Sequence, residues 1–184
     1  MVEPEPAKLV MSAIFSEKEL EKDLILELQA LFGQVQMVSP RYPFSHTSYY
    51  EKEMGSHLSR RMFCFKTLIP EDRLVEVKLK ATAVEDRFRD QWGRRRINLD
   101  PGVLSLGRVV LATHKPQAHR IYLGQGIYAD LTLVFREGEY RPLQWTYPDY
   151  ASEPLNGWLR RVRELYLWER RKIKEGGGMG CSGA

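Results

Sequence analysis

The sequence predicts one α+β domain, built on a mixed or antiparallel sheet flanked by helices. Three observations carry that expectation. In the first half, apolar runs of strand length alternate with stretches of helical periodicity. The second half is richer in strand-like segments broken by glycine turns. The chain has 184 residues, 43% of them hydrophobic and 28% charged, which is enough to bury one core and ordinary for a globular protein. The expected division is a flexible N-terminus over 1–6, one globular domain over 7–174 and a disordered glycine-rich tail over 175–184.

Taken in order, residues 7–15 form an unbroken apolar run and read as a buried strand. Ser16 and Glu19 make the spacing of a capping box, so a helix opens there. Leu20, Leu24, Leu28 and Leu31 continue it at helical spacing, and Gly33 supplies the stop. Val35 to Val38 is a second strand. Residues 40–60 are a long aromatic connection, of the length usually kept for functional loops, in which Ser48 and Glu51 would cap a short helix ending at Gly55. Arg61 to Thr67 reads as a central strand. Pro70 starts a helix whose buried stripe is Leu74, Val77, Ala81, Val84 and Phe88, with Gly93 as its stop. Arg96 to Leu99 is a short strand. This succession is βαββαβ, the order of ferredoxin-like folds.

Val109 to Thr113 opens the second half. Taking Gly124-Gln125-Gly126 as a three-residue hairpin loop sets Tyr122 against Tyr128, Ile121 against Ala129 and Arg120 against Asp130. That register puts Ile121, Leu123, Ile127, Ala129, Leu131 and Leu133 on one face and the polar residues on the other. Glu137-Gly138-Glu139 turns into a strand ending near Trp145. Ser152 and Pro154 start a last helix with the stripe Leu155, Trp158, Leu159, Val162 and Leu165, and with Arg160, Arg161, Arg163, Arg170 and Arg171 around it.

Composition narrows function without naming it. The net charge is +4, a mild excess that suits anionic ligands but is less clustered than nucleic-acid binders usually show. No apolar run reaches the ~20 residues of a membrane helix. The acidic, proline-bearing start is unlike a signal peptide. Two cysteines, Cys64 and Cys181, make no disulfide framework, so a reducing cytoplasmic setting is expected. There is no P-loop, no G-x-G-x-x-G opening a helix, no H-E-x-x-H, no C-x-x-C pair and no G-x-S-x-G.

What remains is a density of polar groups between Arg94 and Tyr150. Arg120 and Asp130 read first as a structural cross-strand ion pair, and in the functional sense as an arginine gripping a phosphate or carboxylate with Asp130 orienting it. Tyr122 and Tyr128 would add hydroxyls and stacking surface. Lys115 would join Arg120 on the anion, and His119 would be the acid–base group, with Asp130 as its catalytic partner. His114 and His119 match no recognised metal-ligand spacing, so no metal is assigned and no cofactor is named. Asn98 and Asp100 either sit at a strand's carboxyl end as ligand groups or, with Pro101, cap a short helix. Thr47, Tyr49 and Tyr50, with Glu51 and Glu53, would form a lid or a packed loop. The run Trp145 to Tyr150, including Asp149, would rim a pocket or plug one.

These segments resemble a family of small cytoplasmic bacterial and archaeal proteins, the domain of unknown function 4416. The resemblance covers about Lys8 to Tyr166. It rests on Thr47, Tyr49-Tyr50, Glu53-Met54-Gly55, Ile97 to Gly102, Leu111-Ala112-Thr113, Lys115, His119 to Leu123, Gly126 to Ala129 and Trp145 to Tyr150. It implies no established activity. Members are sometimes labelled GTP-binding, but Thr113-His114-Lys115 is followed by Gln117 where a guanine-reading motif needs an acid. Ser45, Ser48 and Val103 depart from the family pattern, which tends to carry acids at the first two and tyrosine at the third. The expected function is therefore binding of a small anionic ligand, a nucleotide or phosphorylated metabolite, on a sheet-based site. The competing expectation is a non-catalytic RNA- or protein-binding module that uses the arginine-rich last helix and Arg94 to Arg96.

Overall fold

The computed structural model describes residues 5–44, 51–55 and 57–177. It is an α+β domain. Strand β1 (Ala7–Phe15) leads through α1 (Leu20–Phe32) to β2 (Val35–Val38), β3 (Tyr42–Pro43), the short α2 (Glu51–Met54) and β4 (Ser59–Ile69). A 3-10 turn then opens α3 (Leu74–Arg87). After it come β5 (Ile97–Leu104), β6 (Arg108–Thr113), β7 (Ile121–Gly124), β8 (Ile127–Arg136), β9 (Glu139–Pro142) and α4 (Leu155–Gly177). The strands form one antiparallel sheet in the order β2-β4-β1-β5-β6-β8-β7, with β3 on β4 and β9 on β8. The expected βαββαβ succession is interrupted by β3 and α2. Among the described residues no helix is long and apolar enough to cross a membrane.

The two largest hydrophobic clusters lie on opposite faces of the sheet, which explains why β1 reads as an apolar run without alternation. Leu9, Met11, Ala13 and Phe15 face Leu24 and Leu28 of α1 and Ala81 and Val84 of α3. Val10 faces the other way, with Met62 and Cys64 of β4, towards Trp158, Leu159 and Val162 of α4. Every residue of β1 is buried. Helix α4 continues past residue 174 to Gly177.

Several expectations change. Helix α1 begins at Leu20 with no side-chain cap, so the Ser16–Glu19 box does not form. Turn bonds from Leu20 N–H to Glu17 C=O and from Glu21 N–H to Lys18 C=O start it instead. Helix α3 ends at Arg87, before Gly93, which closes a separate turn with its N–H on Asp90 C=O. The strand after the Glu137-Gly138 turn ends at Pro142, short of Trp145. The hairpin loop has two residues, Gln125 and Gly126, with φ of 53° and 73°. Gly124 pairs with Ile127, and an irregularity at Leu123 restores Tyr122 against Tyr128. Strand β7 is an edge, so Ile121 is 70% exposed rather than buried. A second bulge shifts the register so that Val109 pairs with Leu133 but Val110 with Leu131, leaving Thr132 as the extra residue. Leu133 and Asp130 thereby share a face, and the predicted grouping of Leu131 with Leu133 fails.

Candidate functional site

The sheet comes apart between β5 and β6, and the site lies in the gap. The two strands pair through Gly102–Leu111, Val103–Val110 and Leu104–Val109. Gly102 permits that approach, because a Cβ there would lie 2.6 Å from Leu111 Cδ2 and 2.7 Å from the Val110 carbonyl oxygen. Further along β5, the Leu99 peptide turns away from β1 and finds side chains in place of a strand. Glu85 Oε1 accepts from Leu99 N–H at 2.5 Å, and Lys78 Nζ donates to Leu99 C=O at 2.6 Å. Strand alternation puts position 101 on the same side, where Pro101 has no N–H to offer β6. The Asp-Pro-Gly run thus lies inside a strand and unzips it. Asp100 does not cap a helix.

The resulting cleft has a volume of about 560 Å³. Five cationic side chains line it: Arg60 from β4, Lys78 from α3, Arg95 ahead of β5, and Lys115 and Arg120 from the β6–β7 connection. Three carboxylates face them, Glu85, Asp100 and Asp130. Trp145, Tyr147, Tyr150 and Phe44 supply aromatic wall.

Burial pushes the Asp100 carboxyl up, but the charges of Lys78 and Arg60 and the hydrogen bonds from Lys78 and Asn98 outweigh it and hold it below the usual carboxylate range. Its oxygens meet Lys78 Nζ at 3.2 Å and Asn98 Nδ2 at 2.9 Å. Glu85 goes the other way. Burial raises it to about 7, against the opposing effects of Lys78, the Leu99 N–H and Arg95. Lys115 is lowered, first by burial and then by the positive charges of Arg120, Arg95 and Lys78, with Asp100 opposing.

On the β8 wall, Arg120 Nε donates to Asp130 Oδ2 at 2.8 Å and Nη1 to Lys115 C=O at 2.8 Å. This pair is buried, with 4% and 11% side-chain exposure, rather than half-exposed. His119 Nε2 reaches the same Asp130 oxygen at 3.4 Å, and its ring stacks on Trp145 at 4.9 Å. Below the cleft, Arg60 Nη1 lies 2.8 Å from Asp149 Oδ2, with the guanidinium over the rings of Phe44 and Tyr150.

Of the residues singled out from sequence, Asn98, Asp100, Lys115, Arg120 and Asp130 line the cleft. His119 stands behind Trp145, and Asp149 is buried against Arg60. Tyr122 and Tyr128 pack on each other 5.1 Å apart and do not line it; Tyr122 is 60% exposed, because β7 is an edge strand. Thr47, Tyr49 and Tyr50 lie outside the described residues. His114 also lines the cleft, with its Nε2 3.0 Å from Thr82 Oγ1. Among the described residues no group of three His, Cys, Asp or Glu side chains is arranged to hold a metal ion.

Sequence reading did not place Arg60, Lys78, Glu85 or Arg95 in the cleft. Lys78 and Glu85 carried a signal, since they occupy positions of the α3 stripe formed by Leu74, Val77, Ala81 and Val84, where polar residues do not belong. Most of the arginines offered for nucleic acid make pairs or stacks of their own. Arg94, Arg95 and Arg96 pair with Asp90, Glu53 and Glu17. In α4, Arg160 pairs with Glu153 and Arg170 with Glu5, while Arg163 covers the Phe135 ring.

One family model, described as a domain of unknown function (DUF4416), matches residues 5–166. No curated protein and no solved structure matches the chain.

Proposed function

The chain belongs to the DUF4416 family, whose description names no activity, and we propose from the cleft itself that it binds a small anionic ligand, a nucleotide or another phosphorylated metabolite. One observation carries the reading: five cationic side chains from four separate segments converge on one cleft that supplies three carboxylates. Cations brought together at partial burial repel one another, and a bound anion relieves that. Lys115 and the Nη2 end of Arg120 are the anion contacts, since Arg120 Nε and Nη1 already serve Asp130 and the Lys115 carbonyl. Asp130 and Asp100 hold the cations in place. Should the protein transform its ligand, His119 exchanges protons through Asp130, on which its Nε2 rests.

The test is a thermal-shift and calorimetry panel of phosphate, sulfate, sugar phosphates and nucleotides. A ligand at about 100 times its Kd stabilises by ~2.7 kcal/mol. Lys115→Ala is the cleaner variant, because Arg120→Ala would strand the buried Asp130. Binding that Lys115→Ala abolishes supports the site. If no anion at millimolar concentration moves the melting temperature, the reading is wrong.

A further inference from the structure

Glu85 is the cleft residue that an anion site has least use for, and its surroundings give it a role. It sits on the buried stripe of α3 and faces the gap between β5 and β6. Oε1 is taken by Leu99 N–H. Its closest ion-pair contact among the described residues is Arg95 Nη1, 3.9 Å from Oε2 and beyond hydrogen-bond reach. The cations nearby are directed elsewhere. Lys78 Nζ serves Leu99 C=O and Asp100. Arg95 Nε and Nη2 serve Glu53 of α2, and Nη1 serves Asn98. The other charged group acting on Glu85 is Asp100 on β5, which opposes its ionisation. Among the described residues Glu85 therefore lies in a cationic cleft with one cation at 3.9 Å and none within hydrogen-bond reach.

We propose that an oxyanion bound in this cleft binds together with one proton carried by Glu85, whose neutral carboxyl donates a hydrogen bond to it. The inference rests on the anion-site reading above and adds how that site recognises its ligand. Glu85 and Lys115 line the same cleft, so an anion held at Lys115 enters the electrostatic neighbourhood of Glu85. A second negative charge there disfavours an ionised carboxylate. Protonation turns Glu85 from a repelling group into a donor, and it leaves Oε1 free to go on accepting from Leu99 N–H. Oxyanions able to accept from a carboxyl are thereby favoured over anions that cannot. A carboxyl whose ordinary value has already been lifted to about 7 needs little further shift to do this near neutrality.

The experiment is isothermal titration of the full chain with sulfate, which takes up no proton itself in this range. It is run at pH 6, 7 and 8 in two buffers that differ in ionisation enthalpy. The expected result is uptake of roughly half a proton at pH 7, with affinity falling towards a limiting tenfold per pH unit at higher pH. Glu85→Gln keeps an acceptor for Leu99 N–H and should bind sulfate with no uptake and with constant affinity from pH 6 to 8. Uptake that persists in Glu85→Gln assigns the proton to Lys115 or His119 and overturns the proposal. Wild-type binding without uptake overturns it too, while leaving the anion site standing. Failure of sulfate to bind at every pH removes both readings together.

Discussion

Two buried groups of charges lie in this sheet, and they are built differently. At one end of β1, Lys8 is 0% exposed, and its ammonium is met by Gln36 Oε1 at 2.7 Å, Lys66 C=O at 3.3 Å and both Glu169 oxygens at 2.8 and 2.6 Å. Gln36 Nε2 also donates to Glu169 at 3.0 Å, so the group closes on itself and ties α4 to β1, β2 and β4. The β5–β6 cleft is less closed: among the described residues five cations and three carboxylates line it, Arg60 and Arg95 find Asp149 and Glu53 outside it, and Glu85 has no cation nearer than Arg95 at 3.9 Å. Burial of charge occurs in both places. The closed group is structural, and the open arrangement of the cleft is what supports the proposed ligand site.

Breaking the closed group should have the largest effect on stability. Lys8→Met should cost about 3 kcal/mol or more, because it leaves Glu169 without its buried partner. Denaturant unfolding checks this, and sulfate affinity should be unchanged. Glu85→Gln comes next. The wild-type carboxyl is raised from 4.5 to about 7 in the folded chain, so between those values the native state holds a proton that the unfolded chain has released. Stability should therefore fall as pH rises from about 4.5 to 7, by on the order of 3 kcal/mol, and level off above. The variant should lose that slope, which urea titrations at a series of pH values would read.

Gly102→Ala sharpens the contrast by forcing the strands apart where they still pair. Its Cβ would meet backbone as well as the Leu111 side chain, at a cost of about 1–3 kcal/mol. Hydrogen exchange at Val103 and Leu111 should quicken. The smallest effect on stability belongs to Lys115→Ala, about 1 kcal/mol or less, and yet it should abolish anion binding. If Lys8→Met weakened sulfate binding while Lys115→Ala spared it, the distinction between the two groups would collapse.

Much of the scaffold was legible in sequence because its cause is local. The Leu20, Leu24 and Leu28 stripe, the double-sided burial of residues 7–15 and the pairing of Arg120 with Asp130 each follow from periodicity or from a turn a few residues away. Errors fell where two local signals competed. Ser16 and Glu19 have the spacing of a capping box, but the chain turns into α1 through backbone bonds. Asp100-Pro101-Gly102 has the look of a helix start, but β1 pairs along its whole length and keeps it a strand. Ile121 and Leu123 read as buried, but β7 has no neighbour on its outer side along the strand path.

The sequence by itself determined the class of fold, the family and half of the cleft: Asn98, Asp100, Lys115, Arg120 and Asp130 stand out as polar groups among β-patterned residues. Only the tertiary structure brought in Arg60, Lys78, Glu85 and Arg95, and only it showed that β5 and β6 part where Pro101 cannot donate. The physical reason is range. Periodicity and turn chemistry act over a few residues along the chain. The charge balance of the cleft depends on distances between β4, α3, β5 and the β6–β7 connection, which no local pattern encodes.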